Sequence, residues 1–115
     1  MLASFLIVVT LAAGSPRFSQ ALPIAKARFG TVCPAGIQAQ WTELTPGVLA
    51  QVQRGRCRIQ FSPAIRHYPF RWFCTVVVHE YGHLAGRSHS TNPRSVMFPF
   101  LRRVYPPCNL ERRHK

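Results

Sequence analysis

Acidic residues are almost missing from this chain. Aspartate does not occur among its 115 residues, and glutamate stands only at Glu43, Glu80 and Glu111. Calcium takes roughly six to eight oxygen ligands, several of them carboxylates, so no calcium is expected. Cysteine occurs at Cys33, Cys57, Cys74 and Cys108, and no two are spaced as Cys-x-x-Cys. That spacing argues against a zinc knuckle built on cysteine. No apolar run reaches the roughly 20 residues that a membrane-crossing helix needs. No repeat and no low-complexity tract is present.

What is abundant is positive charge. Lys and Arg number 15, the net charge is +12, and small clusters occur at Arg54-Arg56-Arg58, Arg102-Arg103 and Arg112-Arg113. Such a field draws a protein to anionic polymers or surfaces. It comes without a nucleic-acid motif and without an aromatic-studded basic strand, so the expected binding is non-specific.

The stretch Leu2–Ala13 is nearly all apolar and is followed by small residues and a proline. It suits the core of a secretory signal peptide, although no Lys or Arg precedes it. Cleavage is expected after Ala12-Ala13-Gly14 or after Ser19-Gln20-Ala21. The resulting division is 1–21 signal peptide, 22–32 a loose arm, and 33–115 one compact domain with no transmembrane helix. So small an exported domain needs staples. Four cysteines allow three pairings, and the sequence does not choose among them. Our expectation is Cys33–Cys57, tying the strand region, with Cys74–Cys108, tying a helix to the C-terminal segment.

Three extended segments are expected, at 37–41, 48–53 and 58–61, from alternating apolar and polar residues bounded by Pro46-Gly47 and Ser62-Pro63. A helix is expected over about 70–85. Pro69 stands at its start, and Phe73, Val76, Val77, Glu80, Tyr81 and Leu84 recur at spacings of three and four. The run Thr75-Val76-Val77-Val78 would pass for a strand on propensity alone, but the histidines beyond it need helical spacing. Gly86 is a natural helix stop, and Pro106-Pro107 opens a short last turn. The fold class is α+β: a short, mostly antiparallel sheet packed on one helix.

The chemistry lies in His79-Glu80-Tyr81-Gly82-His83. On a helix, positions i and i+4 share a face, so both imidazoles reach one ion, and Glu80 sits beside it as a general base. Gly86 and His89 extend the pattern. A third histidine cannot share that face unless the helix ends first, which Gly86 permits. Three imidazoles with a fourth position open to water make the site of a catalytic zinc, whereas a structural zinc is closed by four protein ligands. Five fixed residues match by chance in about one chain in 10⁴ to 10⁵ of this length, at ordinary residue frequencies.

The string His79-Glu80-Tyr81-Gly82-His83-Leu84-Ala85-Gly86-Arg87-Ser88-His89, with Ser90, Met97 and Pro99 after it, resembles the metzincin clan of zinc peptidases. Within that clan it is most similar to the matrixins. The resemblance covers residues 73 to about 101. It implies a minimal zincin-like domain in which His79, His83 and His89 hold one zinc per chain and Glu80 is the general base. It further implies a methionine turn at Met97 beneath the metal, and Phe98, Pro99 and Phe100 as one wall of the substrate pocket. Leu101 stands where matrixins often carry tyrosine. Matrixins also have a longer N-terminal half with five strands and an additional helix, for which only residues 33–69 are expected here.

The implied function is that of a secreted zinc-dependent endopeptidase acting on peptides or proteins. The alternative is a basic zinc-containing binding protein that adheres to anionic surfaces with little or no turnover. The presence of Glu80 argues against it, because metal binding alone does not need that carboxylate.

Overall fold

The computed structural model describes residues 16–110. Most of the expected signal peptide, together with Glu111 and His114, therefore lies outside the described residues. Helix α1 spans Pro16–Phe29, strand β1 Gln38–Trp41, β2 Ala50–Gln53, β3 Arg58–Phe61, and helix α2 Phe70–Leu84. A last 3-10 turn covers Pro106–Cys108. Each of the three strands and α2 lies within the segment expected for it.

The sheet is mixed, where the alternation of residues had suggested a mostly antiparallel one. Its order is β1-β3-β2. β3 pairs antiparallel with β2 (Val52 opposite Ile59) and parallel with β1 (Ala39 opposite Ile59). The reason is the link after Trp41, which carries the chain past the place of β3 to the far edge. β1 then runs against β2 and with β3. Period-two alternation reports which face is buried and says nothing of strand direction.

Residues 22–32, expected to be a loose arm, belong mostly to helix α1, which starts at Pro16 within the expected signal peptide and packs into the core. In α1, Phe18, Ala21 and Ala25 are all but fully buried. With Phe29 they follow helical spacing, and this is the stripe that docks on α2. Arg17 reinforces the contact: its guanidinium lies 4.6 Å from the Phe73 ring centroid and donates to the Arg66 and Tyr68 carbonyls. Two prolines, Pro16 at the start and Pro23 inside, hide the helix from a propensity reading. The N-terminal half thus has three strands plus this helix, and draws on more of the chain than residues 33–69.

The core lies between the sheet and the two helices. Ala39, Ile59 and Phe61 face Phe73, Val77 and Val78 of α2, and all six are essentially inaccessible. The Phe61 and Phe73 rings stand 5.3 Å apart, with Trp41 at 6.1 and 6.4 Å from them. Burial on every side explains why Thr75-Val76-Val77-Val78 is helical despite its β-branched residues: tertiary packing overrides a propensity cost of a few tenths of a kcal/mol per residue. Thr75 Oγ1 also donates to the Arg71 carbonyl and accepts from Tyr105 N–H, so its hydroxyl is satisfied.

Two disulfides close the structure, Cys33–Cys57 and Cys74–Cys108, the pairing expected. They span separations of 24 and 34 residues, which correspond to about 3 to 4 kcal/mol each in the chain-entropy picture. Cys74 is inaccessible and bonded, so it carries no nucleophilic chemistry.

Candidate metal centre

α2 carries His79, Glu80 and His83. At its end Gly86 adopts a left-handed φ of 88°. Around it the Arg87 N–H bonds the Gly82 carbonyl at 2.9 Å and the Gly86 N–H bonds the His83 carbonyl at 3.0 Å. This paired closure is the Schellman cap, and it satisfies carbonyls that the last turn leaves open. The chain then doubles back and returns His89 to the same face.

The three imidazoles converge. Their ring centroids are 4.8, 5.3 and 4.7 Å apart for the pairs His79–His83, His79–His89 and His83–His89. One ligand nitrogen from each lies within 4.8 Å of the others, and among the described residues no other group of this kind forms. Two of the rings are aimed by the backbone. His79 Nδ1 meets the Val96 carbonyl at 2.8 Å, and His83 Nδ1 meets the Arg87 carbonyl at 2.9 Å. A carbonyl can only accept, so Nδ1 carries the proton and Nε2 keeps its lone pair. Burial, with smaller contributions from His83 and His89, holds His79 below the usual histidine range against the opposing pull of the Val96 bond. His79 is thus held neutral, the state a metal ligand requires. The ring of His89 has no such backbone partner among the described residues and is exposed.

Glu80 is 6% exposed, and burial raises its carboxyl from 4.5 to about 7. It faces a cleft of about 730 Å³. His79, His83 and neighbouring α2 residues form one side of the cleft, residues 47–52 another, and residues 93–101 a third. β2 is an edge strand, and its unpaired side borders this cleft. β3 is central and offers no free edge.

Met97 is buried at 5% exposure in a turn where its N–H bonds Ser95 Oγ and its carbonyl accepts from Ser90 N–H. Its side chain fills the space beside Gly82, where a β-carbon would overlap the sulfur. Phe98, Pro99 and Phe100 all line the cleft, and Phe100 is 64% exposed. The structure therefore brings together His79, Glu80, His83, His89 and the segment from Met97 to Phe100. His67 is exposed and outside the cleft, and Tyr105, the other aromatic with a hydroxyl near α2, does not line it.

Sequence reasoning missed the support that α1 gives the centre. The Tyr81 hydroxyl donates to the Gly30 carbonyl at 2.5 Å and accepts from Val32 N–H. Phe29 packs against Tyr81 and against the Gly82 position. The spacing of Phe18, Ala21, Ala25 and Phe29 was the available signal. Phe18 and Ala21 fall within the expected signal peptide, which masks that spacing.

The residues present suit zinc: three imidazole nitrogens, backbone-aimed where they are buried, with no fourth protein ligand among the described residues. The sequence model of the matrixins matches residues 41–112. No curated protein and no solved structure gives a match. The matched span takes in β2, β3, α2 and all three histidines and exceeds half of the 115 residues; the chain belongs to the matrixin family of peptidases.

Proposed function

We propose that this protein is a secreted zinc-dependent endopeptidase in which His79, His83 and His89 hold one zinc and Glu80 is the general base. The observation that carries this reading is the convergence of three imidazoles beside a buried carboxyl that opens on a cleft. Two disulfides, and the lack of any helix long and apolar enough to cross a membrane among the described residues, are compatible with export.

A zinc held by His79, His83 and His89 would supply Lewis acidity toward a carbonyl and a water at neutral pH. The chain's own residues do the rest. Glu80 takes the proton from the attacking water and passes it to the leaving nitrogen. In the metal-free chain burial raises the Glu80 carboxyl from 4.5 to about 7; a bound cation would lower it again, leaving a carboxylate able to take the proton. The free edge of β2 aligns an extended substrate by backbone hydrogen bonds. Met97 is the packed floor under the histidines, the methionine turn of a metzincin-like domain. Phe98, Pro99 and Phe100 wall the pocket for a substrate side chain. The alternative, a binding protein without turnover, does not explain why a carboxylate is buried at the cleft.

Elemental analysis of purified protein is the first test. One zinc per chain is expected, with peptide cleavage lost on chelation and restored by zinc. Two zincs per chain, or cleavage that survives complete chelation, would overturn this assignment.

A further inference from the structure

Four arginines line the cleft, Arg54, Arg87, Arg94 and Arg103, all exposed; the Arg87 head lies 5.5 Å over the ring of Phe29, a residue outside the cleft, which leaves Arg54, Arg94 and Arg103 to face it. Arg54 and Arg87 stand where β2 and α2 end. The Arg54 Nη2 lies 3.6 Å from the point a Gly86 β-carbon would occupy, so its head is turned toward the helix end. Arg94 and Arg103 come from the chain after His89, which forms the facing wall. The only acid lining the cleft is Glu80, buried and committed to the centre. Among the described residues the only other carboxylate is Glu43, which does not line the cleft. The rim therefore carries three positive charges with no exposed carboxylate lining the cleft, among the described residues, to neutralise them. Charge of one sign around a cleft with low-dielectric walls concentrates the opposite charge there.

We infer that the cleft selects peptides with Asp or Glu side chains beside the bond to be cut, Arg54 receiving them on one side and Arg94 with Arg103 on the other. This rests on the peptidase reading above. An extended peptide fits better than a polynucleotide because the cleft offers the free edge of β2 for backbone amides. Its walls between the arginines are apolar, at Val48, Val52, Phe98 and Leu101. The general charge of +12 draws anions to every face; the present claim is local to three side chains.

Binding to the Glu80→Gln chain separates this claim from turnover. Two fluorescent peptides of equal length are used, differing only in Asp and Glu against Asn and Gln at the positions flanking one bond. At physiological salt the acidic peptide should bind about three- to tenfold more tightly, the scale of one or two exposed ion pairs. Added Arg54→Gln and Arg103→Gln should reduce that ratio to about twofold or less. Added Arg71→Gln, an exposed position outside the cleft, should leave it. Equal or absent binding of the two peptides, a ratio unchanged by the cleft substitutions, or a ratio lost equally with Arg71→Gln would overturn the inference. So would a single-stranded DNA oligonucleotide that binds more tightly than the acidic peptide through the same arginines. Failure of the peptidase reading shows elsewhere, as wild-type protein with zinc that cleaves neither peptide.

Discussion

The carbonyl of Arg87 accepts the Nδ1 proton of His83 at 2.9 Å, while the N–H of the same residue closes α2 on the Gly82 carbonyl at 2.9 Å. One peptide segment thus ends the helix and aims an imidazole of the candidate site, and the φ of 88° at Gly86 makes that turn possible. A β-carbon there meets ordinary contact with Arg54 at 3.6 Å, so the cost of a substitution is conformational. Gly86→Ala should destabilise the fold by about 1 to 2 kcal/mol, and Gly86→Asn by less, because Asn tolerates the left-handed region. Zinc affinity, measured by chelator competition, should fall in the same order. Equal affinities in all three proteins would show that the cap does not position His83.

Gly82→Ala tests the packing under the histidines. In an exposed helix that change gains about 1 kcal/mol from propensity. Here the new β-carbon overlaps the Met97 sulfur and lies 3.0 Å from Phe29 Cζ, and overpacking costs about 1 to 3 kcal/mol. The clash should win, giving a lower melting temperature. Adding Met97→Ala should make the Gly82→Ala change neutral or favourable, a coupling that a double-mutant cycle reads directly.

The convergence of His79, His83 and His89 was legible in the sequence because its geometry is local. Helical spacing sets His79 and His83 on one face, and one glycine returns His89. The strands and α2 were legible because alternation and periodicity report burial within a few residues. Strand direction was not, since the parallel pairing of Gln38 with Arg58 depends on where the link between β1 and β2 crosses. α1 was not, because Phe18 and Ala25 show their role only once α2 is there to cover them. The arginine rim was not, because Arg54 and Arg103 lie far apart in the chain and only the fold brings them to one cleft.

Removal of the start of α1 should be costly. A chain beginning at Leu22 lacks Phe18, which is 1% exposed and stands edge-on to Phe61, and lacks Arg17 over Phe73. Loss of one buried phenylalanine costs about 3 to 5 kcal/mol, a large part of a small domain's stability. A chain beginning at Pro16 should keep its full melting temperature, and one beginning at Leu22 should melt far lower or fail to fold. Of the two expected cleavage positions, the one after Gly14 leaves α1 whole and the one after Ala21 divides it. Equal melting temperatures would show that α1 is dispensable.

The metal-free chain should carry two opposing pH dependences. Glu80 is raised from 4.5 to about 7, so its contribution is fully present below pH 4.5 and is lost as pH rises through 7. His79 is lowered, so its contribution is present above pH 6.5 and is lost as pH falls below it. Glu80→Gln removes only the first. In thermal melts of chelated protein, the variant should gain on wild type steadily as pH rises from 4.5 to 7.5. A gap independent of pH would mean that Glu80 is not buried as described.

The most direct measurement is peptide cleavage by Glu80→Gln beside wild type, with bound zinc counted in both. The substitution keeps the size and hydrogen-bonding reach of the side chain but removes its basicity. Zinc should stay at one per chain, since His79, His83 and His89 are untouched, while kcat/KM falls by about 10²-fold or more, the scale of a lost general base. A variant that retains zinc and cleaves as fast as wild type would contradict the role given to Glu80 and leave the cleft a binding surface.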